Sequence, residues 1–164
     1  MRILGIDPGL ERMGYAVIDR VGSKLTPIDY GLIKTPPILL PDRLLLIESQ
    51  LSEIIAAHQP DQVATERLFF AQNKTTAMDV AKALGVALLV SARAGLPWSE
   101  YSPPEIKLSI VGNGGAEKRQ IQFMVTKLLG LATTPKPDDV ADAIAIAITH
   151  ALRTPAIRSP LRNA

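Results

Sequence analysis

Three apolar runs near the start of the chain, Ile3 to Asp7, Gly14 to Asp19 and Leu25 to Ile33, are joined by connections too short for a crossover. Short connections make antiparallel neighbours, so the fold begins as a three-stranded meander. Asp42, just after Pro41, opens an amphipathic stretch with apolar residues at Leu44, Ile47, Leu51, Ile54 and Ile55, which predicts a helix to about His58, stopped by Pro60. Asp61 to Glu66 then reads as a fourth strand, and a strand reached through a helix returns parallel to another strand of the sheet. Leu96 to Tyr101 is a short fifth strand. The pattern predicts an α/β fold, a five-stranded mixed sheet with three antiparallel strands followed by two parallel ones, flanked by helices.

Further helices are predicted from Lys74 to Ala94, Pro104 to Ile110, Glu117 to Leu129, and from Asp138 or Asp139 to about Arg153. The first of these carries apolar residues on more than one face, with Ala77, Val80, Ala81, Leu84 and Leu88 in one set and Val86, Leu89 and Val90 in another. Two apolar faces imply two partners. At 164 residues the chain has the length of one domain. Residues 1–153 are expected to form it, and 154–164, with Pro155, Arg158, Pro160 and Arg162 and little apolar content, to be a mobile basic tail.

Composition excludes several chemistries. The chain has no cysteine, so disulfides and thiolate metal sites are ruled out, and any metal must be held by oxygen or imidazole. Charges interrupt every window of about 20 residues, the length of a spanning helix, and Met1-Arg2 leads directly into a strand. A cytoplasmic protein without membrane contact is expected. The formal charge is only +2, which by itself argues weakly for nucleic acid. Acids neutralised by cations would leave a more basic surface than that sum suggests.

Four acids stand where chemistry would need them. Asp7 ends the first strand, Glu66 ends the fourth, and Asp139 and Asp142 lie in the early part of the last helix, three residues apart and therefore on one face. Taken singly each has an ordinary explanation. Asp before Pro-Gly is common turn chemistry, Glu66 has Arg67 beside it, and an acid in a first helical turn gains about 0.3–1 kcal/mol from the helix dipole. Asp138 reads as the N-cap, and the dipole also accounts for Asp139, but not well for Asp142. That residue sits among Ala141, Ala143 and Ile144, partly desolvated and in want of a counter-charge, and the small alanines let the helix approach the sheet closely. If strands one and four are adjacent, all four carboxylates converge, and like charges a few ångströms apart need cations between them. Oxygen ligands point to Mg²⁺ or Mn²⁺. Paired hard cations hydrolyse phosphodiesters.

Basic and aromatic residues supply candidates for holding nucleic acid. Lys107 lies on a helix, and Lys118 with Arg119 opens the next one after Gly112-Asn-Gly-Gly115, where free backbone N–H groups favour a phosphate. Phe69 and Phe70 follow the acid-bearing strand in a loop bordered by Arg67 and Lys74, and an outward-facing ring there could wedge against an unpaired or distorted base.

Assembled in order, these pieces resemble the bacterial Holliday-junction resolvases of the RuvC type, crossover-junction endodeoxyribonucleases with the RNase H-like fold. The resemblance runs through GIDPGLERMGYAVID, PDQVATERLFFAQN, VGNGGAEKRQIQFMV and PDDVADAIAIAITHAL, nearly the whole chain. It places the family's four metal-binding acids on Asp7, Glu66, Asp139 and Asp142 if the D-x-x-D spacing is kept, and Asp138, directly before, leaves the choice between Asp138 and Asp139 open. DNA-holding lysines match Lys107 and Lys118, and the aromatic inserted near the crossover matches Phe69, with Phe70 its neighbour. The resemblance implies two Mg²⁺ ions per subunit, with Mn²⁺ as a substitute. It further implies a homodimer that nicks opposing strands of a four-way junction during DNA recombination and repair, leaving 5′-phosphate and 3′-hydroxyl ends, and a partnership with the branch-migration helicase complex of that pathway. Two-fold symmetry in the protein would answer the near two-fold symmetry of the junction, and the Lys74 to Ala94 helix is the candidate dimer contact. Without the resemblance the residues indicate only a metal-dependent phosphodiesterase. Another RNase H-like nuclease, acting on RNA or other branched DNA, would carry the same acids. An actin-like nucleotide-binding module would need a second lobe, and a non-catalytic DNA-binding protein would lack part of the acid set.

Overall fold

The computed structural model describes residues 1–68 and 74–155. Five strands, β1 (Arg2–Asp7), β2 (Arg12–Val21), β3 (Lys24–Lys34), β4 (Gln62–Glu66) and β5 (Trp98–Tyr101), form one sheet in the order β3-β2-β1-β4-β5. The pairs β1–β2 and β2–β3 are antiparallel, and β1–β4 and β4–β5 parallel. This is the mixed sheet, three antiparallel strands and two parallel ones, expected from connection lengths. Strands β2 and β3 run longer than their apolar cores because ladder pairing extends into polar residues from Arg12↔Lys34 to Val21↔Lys24, with a register shift at Val17/Ile18.

Strand alternation divides the core. Leu4, Ile6, Met13, Val17, Ile33 and Val63 face α1 (Leu40–His58) and α2 (Lys74–Arg93). Ile3, Ala16, Ile18 and Ala64 face the other way, with α3 (Pro103–Val111), α4 (Lys118–Leu128) and α5 (Asp138–Arg153). The first helix begins at Leu40, earlier than Asp42, because proline is tolerated in a first turn where its missing N–H has no partner to lose.

The last helix is the central element. Ten of its buried residues are Ala, Val, Ile or Thr, and it lies directly on the sheet because β1 and β2 offer glycines beneath it. A Cβ on Gly5 would collide with the Ala143 carbonyl and with Ala147. One on Gly14 would overlap the Asp139 carbonyl. At the far end, Arg20 donates to the Ala151 and Thr154 carbonyls, meeting the exposed acceptors of the helix C-terminus. Tyr101 Oη lies 2.8 Å from His150 Nδ1, tying α5 to the sheet edge.

Phe69 and Phe70, and the tail from residue 156, lie outside the described residues, so the expectations for the aromatic loop and for a mobile tail fall there.

Candidate active site

Two strand ends and one helix start meet at a single corner. Residues 3, 5 and 7 share the β1 face that packs on α5, and β1 pairs in parallel with β4 through Gly5↔Ala64 and Ile6↔Thr65. One further step along each strand puts Asp7 beside Glu66, on the same face as Ala64. On its other side Asp7 pairs with Gly14, and it is over Gly14 that the Asp139 backbone rests. The sheet register and two missing side chains thus bring Asp139 and Asp142 to the acids of β1 and β4.

The electrostatics record the crowding. Burial first, then the charges of Asp142, Glu66 and Asp139, push the Asp7 carboxyl up to about 8, against a partial relief from Lys118. Burial and Asp142 raise Glu66, opposed by Lys118 and Lys107. Asp142 is raised by burial, opposed by its bond to Lys118. A set of acids that destabilise one another's charged forms is the arrangement that divalent cations relieve.

Lys118 supplies the counter-charge that the sequence shows Asp142 to require. Its Nζ stands 3.0 Å from Asp142 Oδ2 and 3.2 Å from Asp138 Oδ2. Burial alone would lower this ammonium, but hydrogen bonds and charge from Asp142 and Asp138 hold it above the usual lysine range. Together with Lys107, Glu66 and Asp142 it lines a cavity of about 230 Å³.

Asp138 does not cap α5. Pro137 occupies the N-cap position and Asp138 is the first helical residue, its carboxylate bonded by Lys118 and by Gln122 Nε2 at 2.9 Å. Asp139 is engaged differently. Its Oδ2 is buried without a hydrogen-bond partner, and the cation beside it is Arg12, whose Nε lies 3.4 Å away. An orphaned, buried carboxylate oxygen next to Asp7 suits a cation ligand, and the donor set is entirely hard oxygen. Among the described residues no three such side chains close around one point, and Asp142 is paired with Lys118.

The other candidates separate. Arg67 pairs with Glu100, 3.8 Å away, and not with its neighbour Glu66. Arg119 turns from the acids to a cavity with Val111, Phe123 and Met124. Lys74 opens α2. Three N–H groups ahead of α4 are occupied: Gly115 N–H donates to Asn113 Oδ1 at 2.9 Å, Ala116 N–H to the Asn113 carbonyl at 3.2 Å, and Glu117 N–H to Gln120 Oε1 at 2.8 Å. Sequence reading passed over Arg12. The clue was available, since β2 pairs back onto β1 and its first residues must lie near Asp7.

Residues 3–150 match the family model described as crossover junction endodeoxyribonuclease RuvC. The chain belongs to this family. A RuvC from Chloroflexus aggregans is 50% identical over 96% of this chain and 97% of its own length. One from Desulfitobacterium hafniense is 51% identical over 92% of each. Among solved structures, Thermus thermophilus RuvC in complex with a Holliday-junction substrate superimposes with a TM-score of 0.88 at 34% identity, covering 93% of both chains. No described helix is long and apolar enough to cross a membrane.

Proposed function

We propose that this chain, as a RuvC family member, resolves four-way DNA junctions by paired, symmetric nicks, using divalent cations held by Asp7, Glu66, Asp139 and Asp142. The observation that carries the reading is the corner where the ends of β1 and β4 meet the start of α5, with the Asp7 carboxyl pushed up to about 8 by burial and neighbouring acids. When bound, Mg²⁺ or Mn²⁺ would supply the positive charge that sharpens a water nucleophile and stabilises the leaving 3′ oxygen. Two ions per subunit suit four carboxylates.

The chain's own residues do the rest. Lys107 and Lys118 line the cavity beside Glu66 and Asp142 and offer ammonium donors to the phosphate oxygens of the strand being cut. Asp138 and Gln122 act on the lysine side, Asp138 holding Lys118 near the acids and Gln122 fixing Asp138. Phe69, with Phe70, is assigned to stacking against a base at the crossover, and Arg67 and Lys74 to the neighbouring backbone. Residues 1–153 make up the nuclease domain.

A single site cuts one strand, so paired nicks require two copies. The exposed Met78 and Leu89 give α2 an apolar outer face in addition to the one packed on α1 and the sheet, and this face is assigned to a homodimer. The test is incubation with a synthetic four-way junction and Mg²⁺ or Mn²⁺. Symmetric nicks with 5′-phosphate and 3′-hydroxyl ends are expected. Equal cutting of linear duplex, or of RNA, would favour a general RNase H-like nuclease.

A further inference from the structure

A second cavity, of about 320 Å³, opens on the opposite flank of the acids from Lys107 and Lys118. It is walled by Arg12 and Arg43, with Glu11, Asp79 and Asp139 also at its surface. Arg43 lies in the first turns of α1 and is partly buried. Its Nε donates to Thr35 Oγ1 at 2.7 Å, and Thr35 in turn donates from Oγ1 to the Leu10 carbonyl at 2.6 Å and from its N–H to the Glu11 carbonyl at 3.1 Å. Thr35 is only 5% exposed. The guanidinium is therefore fixed through one nitrogen to the turn that follows Asp7, while its terminal nitrogens have no hydrogen-bond or carboxylate partner among the described residues.

Arg12 stands at the same cavity, its Nε 3.4 Å from Asp139 Oδ2. Asp79 is taken by Lys82, 2.9 Å away. Two guanidiniums lining one open space, one of them fixed in place and without an acid partner among the described residues, form an anion-binding arrangement. Arginine's planar fork suits phosphate, and a side chain already ordered loses less freedom on binding.

We propose that Arg12 and Arg43 bind a backbone phosphate of the DNA strand on the Asp139 side of the acids, so that the strand is gripped on both flanks of the bond to be cut. The site is preformed by Thr35, which couples Arg43 to the loop after Asp7. It rests on the reading of this chain as a junction-binding nuclease.

The test uses the full chain and a fluorescently labelled synthetic four-way junction in EDTA, with binding followed by anisotropy at several salt concentrations. Each phosphate contact contributes about 0.9 to the slope of log affinity against log salt. Arg12→Gln and Arg43→Gln are each expected to bind more weakly and to lower that slope, by up to about 1 for loss of the shared phosphate, so that the loss of affinity between about 50 and 200 mM salt becomes up to about fourfold smaller. The double variant, which loses the shared phosphate altogether, should lower it by about 1, and Arg43→Lys should restore the wild-type slope. Unchanged slopes in the folded variants overturn the proposal, including the case where Arg43→Gln is merely less stable and Arg43 serves only to anchor the loop. Should Arg43→Gln not fold, the exposed Arg12→Gln decides alone. Wild-type protein that fails to bind the junction would instead overturn the junction reading.

Discussion

The Asp139 backbone rests on Gly14, the residue that pairs with Asp7 across β1 and β2. A methyl group at this position would have to displace the helix backbone, not a flexible side chain. Overpacking of this kind costs about 1–3 kcal/mol. Gly14→Ala is therefore expected to lower stability by that amount in denaturant melts and to slow junction cutting beyond what the folded fraction explains, because the start of α5 would move from Asp7. Gly85→Ala is the control, since nothing lies within 4 Å of a Cβ there. It should gain slightly in stability, as alanine exceeds glycine in a helix by up to about 1 kcal/mol, and so controls for the stability effect.

Asp7 makes the metal-free protein pH-sensitive. Its carboxyl is raised from 3.8 to about 8, so the folded chain holds a proton that the unfolded chain has released. Stability is unaffected by Asp7 below about pH 4, and declines as the pH rises through the window up to about 8. Glu66 and Asp142, also raised, act in the same direction. In EDTA, the melting temperature of Asp7→Asn is expected to exceed that of wild type by a margin that grows from pH 5 to pH 8, reaching at least about 3 °C. A margin that shrinks over this range would contradict the crowding of charge at the corner.

Asp138 and Asp139 are adjacent but are assigned separate tasks. Asp139→Asn removes an acid beside Asp7 and should reduce cutting by 100-fold or more, on the order of the loss of one preorganised electrostatic group. Asp138→Asn weakens only the hold on Lys118, and a loss of about tenfold or less is expected. Lys118→Met should resemble the first variant in rate, with junction binding reduced less than cutting. These are read as single-turnover rates on a junction with Mg²⁺. An Asp138 variant more damaged than the Asp139 variant would shift the ligand set by one residue.

Phe69 is assigned to a base at the crossover. Phe69→Ala should leave junction binding nearly intact and slow cutting, with 2-aminopurine fluorescence at the crossover reporting less unstacking. Unchanged rates would return the residue to core packing.

The sheet was legible because connection length alone decides antiparallel against parallel pairing, and proline and glycine mark where each run stops. The convergence of the acids was legible only conditionally. Asp7 and Glu66 lie at strand ends, but their adjacency depends on β1 pairing with β4, which no local pattern encodes. Asp142's need for a counter-charge could be read from its apolar neighbours, whereas the identity of that counter-charge could not, because Lys118 arrives from another helix. The N-cap assignment of Asp138 went astray for a related reason: local propensity favours Asp as a cap, but here the carboxylate is drawn to Lys118 and Gln122, and Pro137 precedes the helix instead. Arg43 is similar, an ordinary surface residue of an amphipathic helix until Thr35 connects it to the turn after Asp7.

The most direct measurement compares wild type and Asp7→Asn on one labelled four-way junction in Mg²⁺, recording bound and nicked DNA together. Paired nicks by the wild-type chain, and a variant that still binds the junction but leaves both strands intact, are the predicted result. Full turnover by the variant would show that the acids at this corner are not the centre of the chemistry.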